Sequence, residues 1–133
     1  MSETNKRLYG VSYENSIFVA VGRDGTIVTS TDGEDWDPRE SETEESLHGV
    51  TYANGTFVVV GASGTILTSS DGTTWTTQIS GTSSNLLEVT YANDTLVAVG
   101  NIGYSGTILS SPGASGIVVN NAAGLLKLNG TGT

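Results

Sequence analysis

The stretch LHGVTYANGTFVVVGASGTILTSSDGTTW, residues 47–75, decides the fold, because residues 8–36 restate it. LYGVSYENSIFVAVGRDGTIVTSTDGEDW aligns with it without a gap, at 17 identities in 29 positions. A third copy opens at Leu86 with LLEVTYANDTLVAVG, so Tyr13, Tyr52 and Tyr91 recur every 39 residues, as do Gly22, Gly61 and Gly100. Self-similarity at a fixed period marks a repeat architecture, in which each unit buries its apolar surface on its neighbours. The third copy gains three residues in NIGYSGTIL and then departs, with SSPG at 110–113 where the other two carry an Asp and a Trp.

Within a unit the pattern is that of strands. GVTYA and TFVVVG are β-branched and aromatic runs joined across Asn54-Gly55, a dipeptide suited to the positive φ angles of a tight hairpin turn. GASG at 61–64 and SDG at 70–72 mark two further turns, before TILTS and TTWTTQI respectively. Eighteen glycines against two prolines suit a chain of many tight turns, and no segment carries a capped helical period. Four short strands in about 40 residues is the size of one propeller blade. The predicted fold is therefore all-β: a partial β-propeller of three four-stranded antiparallel blade-like units at 8–46, 47–85 and 86–112. Residues 113–133 are expected to add a C-terminal β-hairpin around NNAAG and a polar tail, completing the last blade or anchoring the chain. The run at 117–119 is the candidate for the last blade's fourth strand.

At 133 residues the chain has room for one domain with an apolar core. There is no cysteine, which excludes disulfides and thiolate metal sites. The opening MSETNKRLYG has no apolar run after its basic residues, and nowhere do eighteen apolar residues follow one another. A soluble chain without signal peptide or membrane span, made in the cytoplasm, is expected. The net charge is −9, concentrated between Asp32 and Glu45, and the cations are only Lys6, Arg7, Arg23, Arg39 and Lys127. Nothing there would neutralise a phosphate backbone or an anionic membrane, so neither is an expected partner. The acidic run reads as a solvated loop.

The pattern Ser-x-Asp-Gly-x-x-Trp at Ser30, Asp32, Gly33 and Trp36 recurs at Ser69, Asp71, Gly72 and Trp75. It resembles the Asp-box of BNR-type propellers (the WD40/YVTN/BNR-like class), a repeat of sialidases, sortilin-like receptors and photosystem assembly factors. The usual box has one residue between its Asp and Gly, whereas here the two are adjacent, which predicts a tighter turn. The resemblance implies a structural role. An Asp opening a turn accepts hydrogen bonds from backbone N–H groups further along it, and a Trp can seal an apolar junction.

Other chemistry is weaker. The carboxylates of TDGEDWD match no calcium-loop spacing, so no metal and no cofactor is expected. His48, the single histidine, aligns with Tyr9 and Leu87 and has no nucleophile motif nearby. Arg7, Arg23 and Arg39 all lie in or just before the first unit, outside any sialidase-like arginine cluster. Tyr13, Tyr52 and Tyr91 form a candidate ligand or interface face, with first-strand packing as the plainer reading.

Three units leave open edges that pair with something else. The expected function is thus a non-enzymatic structural or binding module. It would act as a homo-oligomer, two chains making a six-bladed ring, or with other proteins of a larger particle. Similar repeats occur in bacteriophage virion and tail-fibre proteins, so the resemblance implies a virion appendage or decoration protein. The alternatives are a lectin-like, glycan-binding propeller or degenerate glycosidase, an assembly factor, and an engineered or truncated propeller fragment.

Overall fold

The computed structural model describes residues 4–112, 119–122 and 125–128. Its strands follow the repeat. The first sheet holds β1 (Leu8–Glu14), β2 (Ile17–Gly22), β3 (Ile27–Ser30) and β4 (Asp37–Arg39), in that spatial order. The second holds β5 (Leu47–Ala53), β6 (Thr56–Gly61), β7 (Ile66–Ser69) and β8 (Thr76–Gln78). The third has β9 (Asn85–Ala92), β10 (Thr95–Ile102) and β11 (Ser105–Pro112), ordered β11-β10-β9. A two-stranded hairpin pairs β12 (Val119–Ala122) with β13 (Leu125–Leu128), and β13 lies close to β11 of the third sheet. Among the described residues there is no α-helix, only 3-10 turns at Arg23–Gly25 and Ala62–Gly64. At the Asn54-Gly55 turn both central residues take positive φ, 50° and 81°, as a turn matched to strand twist requires.

The third unit differs from expectation in having three strands rather than four among the described residues. The turn that sends the chain from the third strand to the fourth is built on Ser-x-Asp-Gly in the other units, and SSPG lacks the Asp that would clamp it. Val119 opens β12, which pairs with β13, and residues 117 and 118 lie outside the described residues.

Strand alternation gives each sheet two apolar faces. In the second sheet the register places Val50, Val59 and Leu67 on one side and Gly49, Val60 and Ile66 on the other. The side toward the preceding sheet is called the front here, and the side toward the following sheet the back. The back of the first sheet (Val19, Val21, Ile27) packs on the front of the second (Phe57, Val59, Leu67, Trp75). The back of the second sheet (Val58, Val60, Ile66) packs on the front of the third (Leu96, Ala98, Leu109). Each buried Val, Leu, Ile or Phe contributes roughly 1.5–3 kcal/mol relative to exposure. Inter-sheet burial therefore holds the stack together, since outer strands of three residues have few ladder bonds.

The first strands come closest. A Cβ on Gly10 would stand 2.9 Å from the His48 carbonyl oxygen, and one on Gly49 would stand 3.3 Å from the Glu88 Cα. Glycine at this place lets the next sheet's first strand lie against the backbone. A second link latches each junction on the side of the 3-10 turns. The Asp24 N–H donates to Ser46 Oγ at 3.3 Å, and the Ser63 N–H donates to Asn85 Oδ1 at 3.0 Å.

Candidate functional site

The residues singled out by the repeat form two turn clamps with nearly identical geometry. Asp71 Oδ1 accepts from the N–H groups of Thr73 at 2.8 Å and Thr74 at 3.1 Å. Ser69 Oγ donates to Asp71 Oδ1 at 3.1 Å and accepts from the Gly72 N–H at 2.7 Å. In the first unit Asp32 Oδ1 accepts from Glu34 and Asp35 at 2.8 and 2.9 Å, and Ser30 Oγ from Gly33 at 2.7 Å. Gly33 and Gly72 take φ of 80° and 81°, the left-handed region that disfavours a side chain. The backbone N–H donors hold both carboxyls below the usual aspartate value, that of Asp35 first for Asp32 and that of Thr73 first for Asp71. A carboxylate held in this way is tied to its turn and is a poor proton carrier.

The third unit shows the same place without the clamp. Ser111 occupies the position of Ser30 and Ser69, is fully buried, and its Oγ has no hydrogen-bond partner among the described residues.

The two tryptophans do different work. Trp75 is 6% exposed, donates from Nε1 to the Gly72 carbonyl at 3.1 Å, and belongs to the core between the first and second sheets. Trp36 makes the equivalent bond at 3.3 Å but is only partly buried, because no sheet among the described residues covers the front of the first unit. Each belongs to a row of rings on a front face. Tyr52, Phe57 and Trp75 have centroid separations of 4.8 and 6.4 Å. Tyr13, Phe18 and Trp36 are 4.4 and 6.1 Å apart. The second row is the solvent-facing copy of the first.

The three repeat tyrosines are thus front-face residues. Tyr52 and Tyr91 pack against the two buried cores, and Tyr13 is 53% exposed. Asp94 Oδ1 accepts from the Tyr91 hydroxyl at 2.9 Å, a bond that pushes the phenol's pKa up. Around Tyr13 the open front presents Val11, 63% exposed, and Leu8, 40% exposed, where the repeat equivalent Leu47 is fully buried. Leu8, Val11, Ala20 and Trp36 line a shallow hollow on it. Sequence reasoning named Tyr13 for this face, gave Trp36 only a structural place in the turn motif, and missed Leu8 and Val11. The 39-residue register offered the signal, since their equivalents Leu47 and Val50 lie in a junction.

The acids from Asp32 to Glu45 are all exposed, running through the turn clamp, β4 and the link to the second unit. Among the described residues no three or more His, Cys, Asp or Glu side chains converge as a metal site would require. His48 stacks on Tyr9 with ring centroids 5.1 Å apart. An open cleft of about 540 Å³ lies beside Lys6, Asp24, Trp36 and Arg39, where Lys6 and Asp24 pair at 2.9 Å. No helix among the described residues is long and apolar enough to cross a membrane.

This geometry has solved counterparts. The chain is similar to the WD40 beta propeller domain of Doa1, with a TM-score of 0.62, 15% identity, and coverage of 94% of this chain and 40% of that one. It is also similar to a chain of a S. cerevisiae assembly of dbp5 bound to nup159, gle1, ip6 and adp. There the TM-score is 0.55 at 12% identity, covering 94% of this chain and 37% of the other. The chain thus spans about two fifths of the length of these structures. At such identities the likeness defines a fold: three stacked antiparallel sheets arranged as in part of a β-propeller. No protein-family model and no curated protein sequence matches the chain.

Proposed function

We propose that the chain is a non-enzymatic binding module of the BNR/Asp-box kind. In this reading it docks a protein partner on the open front of its first sheet, as a component of a larger assembly such as a virion appendage or decoration protein. The observation that carries this is the uncovered front around Leu8, Val11, Tyr13 and Trp36, whose counterpart in the second sheet is a buried junction. An apolar sheet face left in water is the usual mark of an interaction surface. A non-catalytic role agrees with Asp32 and Asp71 being committed to backbone N–H groups. The virion setting rests on the resemblance of the repeats, and the homo-oligomer expected from the sequence is one way of covering the front.

A glycan-binding reading draws on one observation, the exposed Tyr13 ring beside Phe18 and Trp36. One experiment separates the two. A photo-crosslinking side chain at position 11, in an extract of the native source, should give one dominant protein adduct. The same group at Ile79, which is exposed but lies outside the front face, should not. Equal labelling from both positions would reject the docking face. Loss of the position-11 adduct on adding free glycan would favour the sugar reading.

A further inference from the structure

The simplest cover for the open front is the open back of the third sheet from a second copy, because front and back are joined in that way twice within the chain. Val97, Val99 and Ile108 stand where Val58, Val60 and Ile66 stand in the second sheet. Ile108 is 56% exposed and Val99 39%, so no element among the described residues covers this face. Three features that both internal junctions share are nevertheless missing from this third pairing.

The first is the close approach of first strands. Gly10 and Gly49 allow it, and the repeat-equivalent residue of the third unit is Glu88. Glu88 is paired with Val99 in register and lines the same hollow of the back face as Val97 and Val99. At Gly49 a Cβ alone would be 3.3 Å from the neighbouring backbone, so a full glutamate side chain has no room in a junction of this geometry. Its carboxylate would also lose water against Leu8 and Val11, an unpaired buried charge that ion-pair energetics strongly disfavours.

The second is the latch acceptor. Ser46 and Asn85 accept from the preceding sheet's turn, and the equivalent residue of the first unit is Arg7, which has no side-chain acceptor. The third is the donor of that latch. The 3-10 turn of the first two units is replaced in the third by the continuous hairpin Thr95–Ile102 and Ser105–Pro112.

We propose that the third sheet is a terminal cap, in which Glu88 bars a following sheet. The open front of the first sheet then accepts the back of a blade-like antiparallel sheet from another protein, a Val/Ile face with glycine on its first strand, and not a second copy of this chain. The proposal rests on the docking reading above and names its occupant. Repeat arrays commonly end in such units, with a polar residue where an internal unit would be buried.

The test is the absolute mass in solution, by light scattering behind a sizing column, for the wild type, Glu88→Gly and Glu88→Gly/Val11→Asp. Circular dichroism melts confirm that each is folded. The wild type should run as one chain of 13.7 kDa. Glu88→Gly should reach at least twice that mass, since its back face regains the glycine of an internal junction. Adding Val11→Asp should return it to one chain. A wild type that assembles overturns the proposal. If Val11→Asp alone then disperses it, the docking reading survives with a second copy as the occupant. A Glu88→Gly variant that stays at one chain also overturns the proposal, and removes the internal junction as the template for docking.

Discussion

Replacing Trp75 and Trp36 in turn by alanine compares one residue in two settings, because both belong to the same phrase and make the same bond to their turn glycine. A tryptophan buries on the order of 200 Å², and at about 25 cal/mol per Å² the transfer contribution is about 5 kcal/mol when burial is complete. Measured Trp→Ala costs in cores run about 3–5 kcal/mol. Trp75, 6% exposed between two sheets, belongs in that range. Trp36, partly exposed on a face that no sheet among the described residues covers, should cost roughly 1–2 kcal/mol, since the surrounding water relaxes into the space it leaves. The assay is urea unfolding followed by far-ultraviolet circular dichroism, because each variant removes one of only two tryptophans and would distort a fluorescence signal. With a slope of about 2 kcal/mol per molar urea, Trp75→Ala should lower the midpoint by about 2 M and Trp36→Ala by less than about 1 M. Equal shifts, or a Trp75→Ala cost within about 0.5 kcal/mol, would refute the claim that the second tryptophan seals a junction and the first does not.

Ser69→Ala removes the acceptor of the Gly72 N–H and should cost about 1–2 kcal/mol, whereas Ser111→Ala removes a buried hydroxyl with no partner among the described residues and should leave thermal stability unchanged or raise it. A loss at Ser111 as large as at Ser69 would mean that its hydroxyl is satisfied. The carboxyl of Asp71 is held below its ordinary value of 3.8 by backbone donors, so in acid the unfolded chain binds the proton first. The clamp's stabilisation is therefore full above the ordinary value and is lost as the pH falls below it through the folded value. The difference in melting temperature between wild type and Asp71→Asn should then shrink in strong acid, and a difference independent of pH down to about 2 would contradict the assignment. Gly49→Glu places at the second junction what the third sheet carries at its open back, and should abolish cooperative unfolding. A well-folded variant would show that the junction tolerates the side chain which is held here to bar it.

Much of the architecture was legible because the repeat made each unit a reading of the other. The period set the strands, Asn54-Gly55 the hairpin, and Ser-x-Asp-Gly the clamp, all of them local signals that need no tertiary information. The third unit was less legible. That SSPG leaves the last sheet with three described strands agrees with a missing clamp, and the buried Ser111 hydroxyl, without a partner among the described residues, became visible only when its burial was known. The site was half legible. Tyr13 and Trp36 stood out as repeated aromatics, but a repeat presents every copy as equal. Only the stacking order separates the copy that seals a junction from the copy that faces water. Glu88 was hidden for the same reason, since a glutamate in a strand reads as an ordinary surface residue until Gly10 and Gly49 are seen lying against the next backbone.

The most direct test of the open front is the accessibility of its tryptophan, measured by acrylamide quenching on two single-tryptophan variants. In Trp36→Phe the remaining Trp75 should emit at shorter wavelength and be quenched weakly, as a ring sealed between sheets. In Trp75→Phe the remaining Trp36 should emit further to the red and be quenched markedly more. If Trp36 proves as shielded as Trp75, the front of the first sheet is already covered in solution, and the account of it as a vacant docking face is wrong.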